Sequence, residues 1–130
     1  LFLQPWAETV FEKVLQEKKA TGWICANDGI GLLALNFLKR NEIAVPDRVS
    51  VVAFDNTIQS FVQGLTSYDF NAPAVSAAIV GFILGKRPWS DPHCEINGFV
   101  VERGSTEPVR SRIRVQNPTG KPDGFHRRSQ

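Results

Sequence analysis

The stretch Val45-Pro46-Asp47-Arg48-Val49-Ser50-Val51-Val52-Ala53-Phe54-Asp55-Asn56 decides how the chain is read. Val45-Pro46-Asp47 is a turn, because proline presets φ and an aspartate bonds to the backbone that follows it. Val49 to Phe54 is rich in β-branched residues and reads as a strand. Asp55 stands at the carboxyl end of that strand. Upstream, Trp23-Ile24-Cys25-Ala26 is a short continuous apolar run, as expected of a strand covered on both faces. Asn27 and Asp28 follow it, and either can cap a helix. Ile30 to Leu38 is then helical. It closes with Lys39 and Arg40, where cations suit the helix dipole, and Asn41 is a candidate left-handed residue just past its end.

Outside this centre the alternation continues. Trp6, Val10, Phe11, Val14 and Leu15 recur at helical spacing and predict an amphipathic helix over about residues 5–18. Thr57 to Gly64 is a loop or short helical turn. Leu65 to Phe70 is a further short strand. Pro73 suits the first turn of another helix, which runs to about Leu84 with Gly85 beyond it. Phe99-Val100-Val101 is a last strand. Strand and helix in alternation, with short links, imply parallel strands joined by right-handed crossovers. The expected architecture is α/β: a three-layer, open, mostly parallel sheet with helices on both faces.

In open sheets of this kind ligands bind outside the carboxyl ends of the strands. Three polar pairs arrive there: Asn27 with Asp28, Asp55 with Asn56, and Asp69 with Asn71. Each residue alone could merely cap a helix or shape a turn; together they suggest a binding rim. The same turn admits a second reading. Gly29-x-Gly31-x-x-Ala34 follows a strand, opens a helix and has Asp55 at the end of the next strand, which is the outline of a dinucleotide fingerprint. Against it, Asp28 puts a carboxylate beside the place where a pyrophosphate would sit.

The chain has 130 residues, a single domain's worth. Its apolar share of 42% is enough to bury a core and excludes simple disorder. There is no Met, and the chain begins Leu1-Phe2-Leu3, so it reads as a piece of something longer. No apolar run is long enough to span a membrane, and no signal peptide opens the sequence. Cys25 and Cys94 are too far apart to form a metal or redox motif, so a reduced, cytoplasmic protein is expected. Residues 107–130 carry six basic residues against Glu107 and Asp123, a balance of +4, whereas residues 1–106 come to −2. The end therefore reads as a basic, solvated tail after a domain spanning 1–106; phosphate attraction of nucleic acid is the alternative use of its charge.

Taken with Ala26-Asn27-Asp28, the opening stretch, Leu65-Thr66-Ser67 and Val101-Glu102-Arg103-Gly104-Ser105-Thr106 give a longer pattern. In order and spacing over about residues 20–106 it resembles the C-terminal part of the effector-binding region of the lactose-repressor (LacI/GalR) family of bacterial transcription regulators. That resemblance implies one subdomain of a periplasmic-binding-protein-like fold, in which two α/β subdomains close on a small effector, often a sugar or nucleobase. It implies operator DNA bound only through an N-terminal headpiece that is not found in this sequence. A periplasmic sugar-binding protein has the same fold and is the neighbouring alternative. By resemblance Asn27 and Asp55 fall at the effector contacts, and Phe70 falls where many members carry Gln, so that contact becomes apolar or stacking. Ala53 departs from the usual Gly, as does the segment Thr66 to Phe70 from its usual pattern.

The chemistry suits recognition. A carboxylate such as Asp55 accepts hydroxyl hydrogen bonds from a polyol, and a charged hydrogen bond contributes roughly 1.5–3 kcal/mol. Trp6 could stack on a sugar face or simply pack in the core. No cofactor, metal site or catalytic set is expected: Ser105 has no supporting motif, and His93 and His126 have no partners at ligand spacing. The helix from Ile30 to Leu38 is apolar nearly all round, although a helix on a sheet needs only one stripe. Ile30, Ala34, Phe37 and Leu38 supply it. Leu32 and Leu35, with Phe61 and Val62, are surplus, and surplus apolar surface suggests a partner. The resemblance implies a twofold homodimer through these four; burial of Leu32 and Leu35 against residues 86–98 is the alternative.

Overall fold

The computed structural model describes residues 3–17, 20–86 and 94–108. Elements alternate along them as α1 (Leu3–Gln16), β1 (Gly22–Ile24), α2 (Asp28–Arg40), β2 (Ser50–Phe54), α3 (Ile58–Val62), β3 (Thr66–Asp69), α4 (Ala72–Ile83) and β4 (Phe99–Val101). The strands form one sheet in the order β1-β2-β3-β4. β1 with β2 and β2 with β3 are parallel, and β3 with β4 is antiparallel. The expected mostly parallel α/β sheet is therefore present.

Register decides what each face carries. Trp23 lies opposite Val51, and Ala53 opposite Ser67, on the face that α1 and α2 cover. There the rings of Phe11, Trp23 and Phe37 meet, with centroids 5.5 to 6.4 Å apart. Ala7, Cys25, Ala34, Leu38, Val49, Val51, Ala53 and Leu65 complete the core. Gly31 is where the helix comes closest to the sheet: a Cβ there would lie 2.8 Å from Leu65 Cδ2 and 2.9 Å from Ala53 Cβ. The opposite face carries Ile24, Val52, Phe54, Tyr68 and Val100. Its cover is uneven, since Ile24 and Val100 are largely exposed. α4, apolar as it is, buries none of its residues.

Several local expectations shift. The buried stripe of α1 runs through Ala7 and Phe11, with Val14 and Leu15 partly buried, and leaves Trp6 61% exposed. Core packing is thus not the role of Trp6; Ala7 and Phe11 lie on the face turned to Trp23, and Trp6 lies beside it. Asn41 ends α2 at φ −94°, and the left-handed residue is Glu42 at φ 56°, one position later. Of the loop or short helical turn expected over 57–64, the structure has the helical turn, capped by Thr57 Oγ1 accepting from Ser60 N. No helix among the described residues is long and apolar enough to cross a membrane. The tail beyond Pro108, and the histidines at 93 and 126, lie outside the described residues.

Candidate functional site

Asn27 and Asp55 stand at the carboxyl ends of the neighbouring parallel strands β1 and β2. Asn27 is the N-cap of α2: its backbone is extended, and Oδ1 accepts from Ile30 N at 2.9 Å. Capping consumes the acceptor and leaves the Nδ2 donors of this exposed side chain outward. Asp55 has φ 108° and Asn56 φ 47°, both in the left-handed half of the map. Such backbone costs about 1–3 kcal/mol and persists only where its surroundings over-determine it. Here three successive amides are pinned. Asp55 N donates to Tyr68 O at 3.0 Å, Asn56 N to Ser67 Oγ at 3.0 Å, and Thr57 N to Asp28 Oδ2 at 2.6 Å. The Asp55 carboxylate itself is exposed and makes no hydrogen bond to another described residue.

Asp28 is the hub beneath this rim. Its carboxylate is 1% exposed and accepts from Thr57 N, Thr57 Oγ1 at 2.8 Å and Ser67 Oγ at 2.6 Å. Burial alone would raise its pKa. The hydrogen bonds from Ser67 and Thr57 outweigh burial and hold it below the ordinary carboxylate value. One side chain thus joins the start of α2, the loop after β2 and strand β3. The third polar pair joins the same rim. Asn56 Nδ2 donates to Asp69 Oδ2 at 2.8 Å, and Asn71 N donates to Asp69 Oδ1 at 2.6 Å. Beyond them Arg103 donates to Asn56 Oδ1, to Leu65 O at 2.6 Å and to Ser60 Oγ at 3.3 Å.

Phe70 follows β3 and is half exposed. Its ring stacks on Phe54 at 6.0 Å and meets Tyr68 edge-on at 5.1 Å, an aromatic platform beside the polar groups. Trp6 walls a shallow apolar groove of about 380 Å³ that reaches Ala26 and Ile30, on either side of Asn27 in the chain.

Other groups are committed to structure. Ser105 is buried, donates to Val51 O at 2.6 Å and accepts from Thr66 N at 2.7 Å, so its hydroxyl ties the segment after β4 to β2 and β3. Burial pushes the Cys25 thiol up to about 11. No group of three or more His, Cys, Asp or Glu that could hold a metal occurs among the described residues. Leu32 and Leu35 are partly buried against the core, whereas Phe61 and Val62 are exposed together with Ile58. The sequence reading missed Asp28 and Arg103 as hubs because their partners lie 29 to 47 positions away, for instance Thr57 for Asp28 and Asn56 for Arg103.

Residues 4–106 match the family model of the periplasmic binding protein-like domain. The chain belongs to that family, in the form found as the effector-binding domain of LacI-type regulators. It is 32% identical over 96 residues to the HTH-type transcriptional regulator RegA of Clostridium saccharobutylicum, across 68% of this chain and 28% of that protein. It is similar to a sugar-binding LacI-family regulator from Escherichia coli solved with phosphate, at 25% identity and TM-score 0.61, covering 73% of this chain and 36% of that one. The fold also matches a LacI-family regulator from Arthrobacter solved with lactose, at 24% identity and TM-score 0.64, covering 78% and 40% of the two chains. The chain spans well under half the length of these relatives.

Proposed function

We infer that this chain is the ligand-sensing and dimerising portion of a cytoplasmic LacI-type transcription regulator, in which a small effector, a sugar, controls DNA binding by a headpiece outside this chain. The domain extends to about residue 106, and the role is recognition without catalysis or cofactor. The carrying observation is the pairing at one rim of an outward amide donor, Asn27, with an exposed carboxylate acceptor, Asp55, whose loops are clamped together through Asp28. Vicinal hydroxyls can accept from the first and donate to the second. Phe70, backed by Phe54, offers a flat apolar face for the C–H side of a ring. The E. coli relative is a sugar-binding regulator and the Arthrobacter structure was solved with lactose, and both support this choice of ligand class.

The dinucleotide reading finds less support. Gly31 is required by helix–sheet contact, and the buried Asp28 carboxylate occupies the turn where a phosphate-binding loop would present amides. Calorimetric titration with a panel of mono- and disaccharides and with NAD tests the two. Heat from a sugar and none from NAD is expected; NAD binding with no response to any sugar would reject the proposal.

A further inference from the structure

Arg103 touches two places that the proposed function keeps separate. One guanidinium nitrogen donates to Leu65 O and Ser60 Oγ, inside α3 and the link to β3; the other donates to Asn56 Oδ1, beside Asp55. The cation also lies 5.8 Å from the centroid of the Phe61 ring, on the exposed side of α3. Arg103 N in turn donates to Thr66 Oγ1 at 2.9 Å, so its own backbone is anchored to β3. A planar fork held in this way cannot turn at one end without moving the other. The Asn56 amide is fixed by Arg103 on its oxygen and Asp69 on its nitrogen, so any ligand that re-aims the Asp55–Asn56 loop must disturb this fork.

We propose that Arg103 is the positioning residue that couples the effector rim at Asp55–Asn56 to the apolar face of α3 at Phe61. The proposal rests on the reading of that rim and of that face as ligand and dimer sites. Linkage makes the coupling reciprocal: occupancy of the rim changes self-association, and self-association changes affinity at the rim by the same factor.

A double-mutant cycle on the full chain tests it, with self-association measured by sedimentation equilibrium and thermal unfolding recorded for every variant. Asn56→Gly removes the amide while suiting the positive φ. It is expected to change the dimer dissociation constant about tenfold where Arg103 is present, and to have no further effect in an Arg103→Lys background. Lysine keeps the charge and loses the fork, and serves where Arg103→Met fails to fold. Glu42→Gly, at a positive-φ position past the far end of α2 from the rim and with no hydrogen bond to Arg103, should leave self-association unchanged, which separates coupling from general loss of stability. Additive effects of Asn56→Gly and Arg103→Lys in a protein that does dimerise would overturn the coupling alone. A wild-type chain that stays monomeric would overturn the dimer reading and the coupling with it.

Discussion

Asp28 shows how much of the rim depends on one carboxylate outside the set of expected ligand contacts. It accepts from two groups of Thr57 and one of Ser67, and a left-handed dipeptide hangs on the first of these anchors. Asp28→Asn keeps the shape but loses the charge and turns one oxygen into a donor facing other donors. It is expected to cost about 2–3 kcal/mol at pH 7, read by urea denaturation. The pH dependence has a definite sign. Because the folded pKa is lowered, the contribution is present above the unfolded value, about 4, and is lost as pH falls through the lower folded value. The gap between wild type and variant should therefore narrow in acid. A gap unchanged down to pH 2 would mean that the charge of Asp28 is not what stabilises the loop.

α2 links the core to the site. Its N-terminus carries Asn27 and Asp28, and its inner face closes on Ala53 and Leu65 at Gly31. Gly31→Ala gains helix propensity of about 1 kcal/mol. It must nevertheless push against Ala53 Cβ, which has no rotamer to yield. A net loss of about 1–3 kcal/mol is expected from thermal unfolding; a gain in stability would show that the helix can lift from the sheet at no cost. This element also marks how far the sequence was legible. The strand centred on Val51 and the helix from Ile30 were visible because β-branched runs and apolar periodicity are local signals. The rim at Asn27 and Asp55 was visible because strand ends place residues by topology. The buried partners of Asp28, the reach of Arg103 and the exposure of Trp6 were not, because each depends on residues brought together only by the crossovers. The shift of the left-handed residue from Asn41 to Glu42 follows from the same limit: backbone bonds from Asn41, Glu42 and Ile43 back to Phe37, Leu38 and Lys39 set that turn, not the identity of one side chain.

At the scale of the whole fold, two apolar helix surfaces remain open among the described residues. Ile58, Phe61 and Val62 form one beside the partly buried Leu32 and Leu35. α4, with Ile79, Val80 and Ile83 and with Leu84 at its C-cap, forms the other. Exposed patches of this kind mark association sites. The first is the proposed twofold face. Leu32→Glu should convert a dimer to a monomer in sedimentation velocity while leaving the melting temperature nearly unchanged, since Leu32 is only partly packed on the core. A species that remains dimeric would move the interface elsewhere, with α4 the next surface to substitute.

Whether the rim holds a small polar ligand can be read residue by residue from backbone amide shifts of the isotope-labelled chain, titrated with the same saccharide panel. The expected result is a set of saturable shifts confined to Asn27, Asp55, Asn56 and Phe70, with Asp55→Ala abolishing them and leaving the rest of the spectrum intact. Shifts that saturate but gather away from the carboxyl ends of β1 and β2, or that survive Asp55→Ala undiminished, would contradict the assignment of this rim as the binding site.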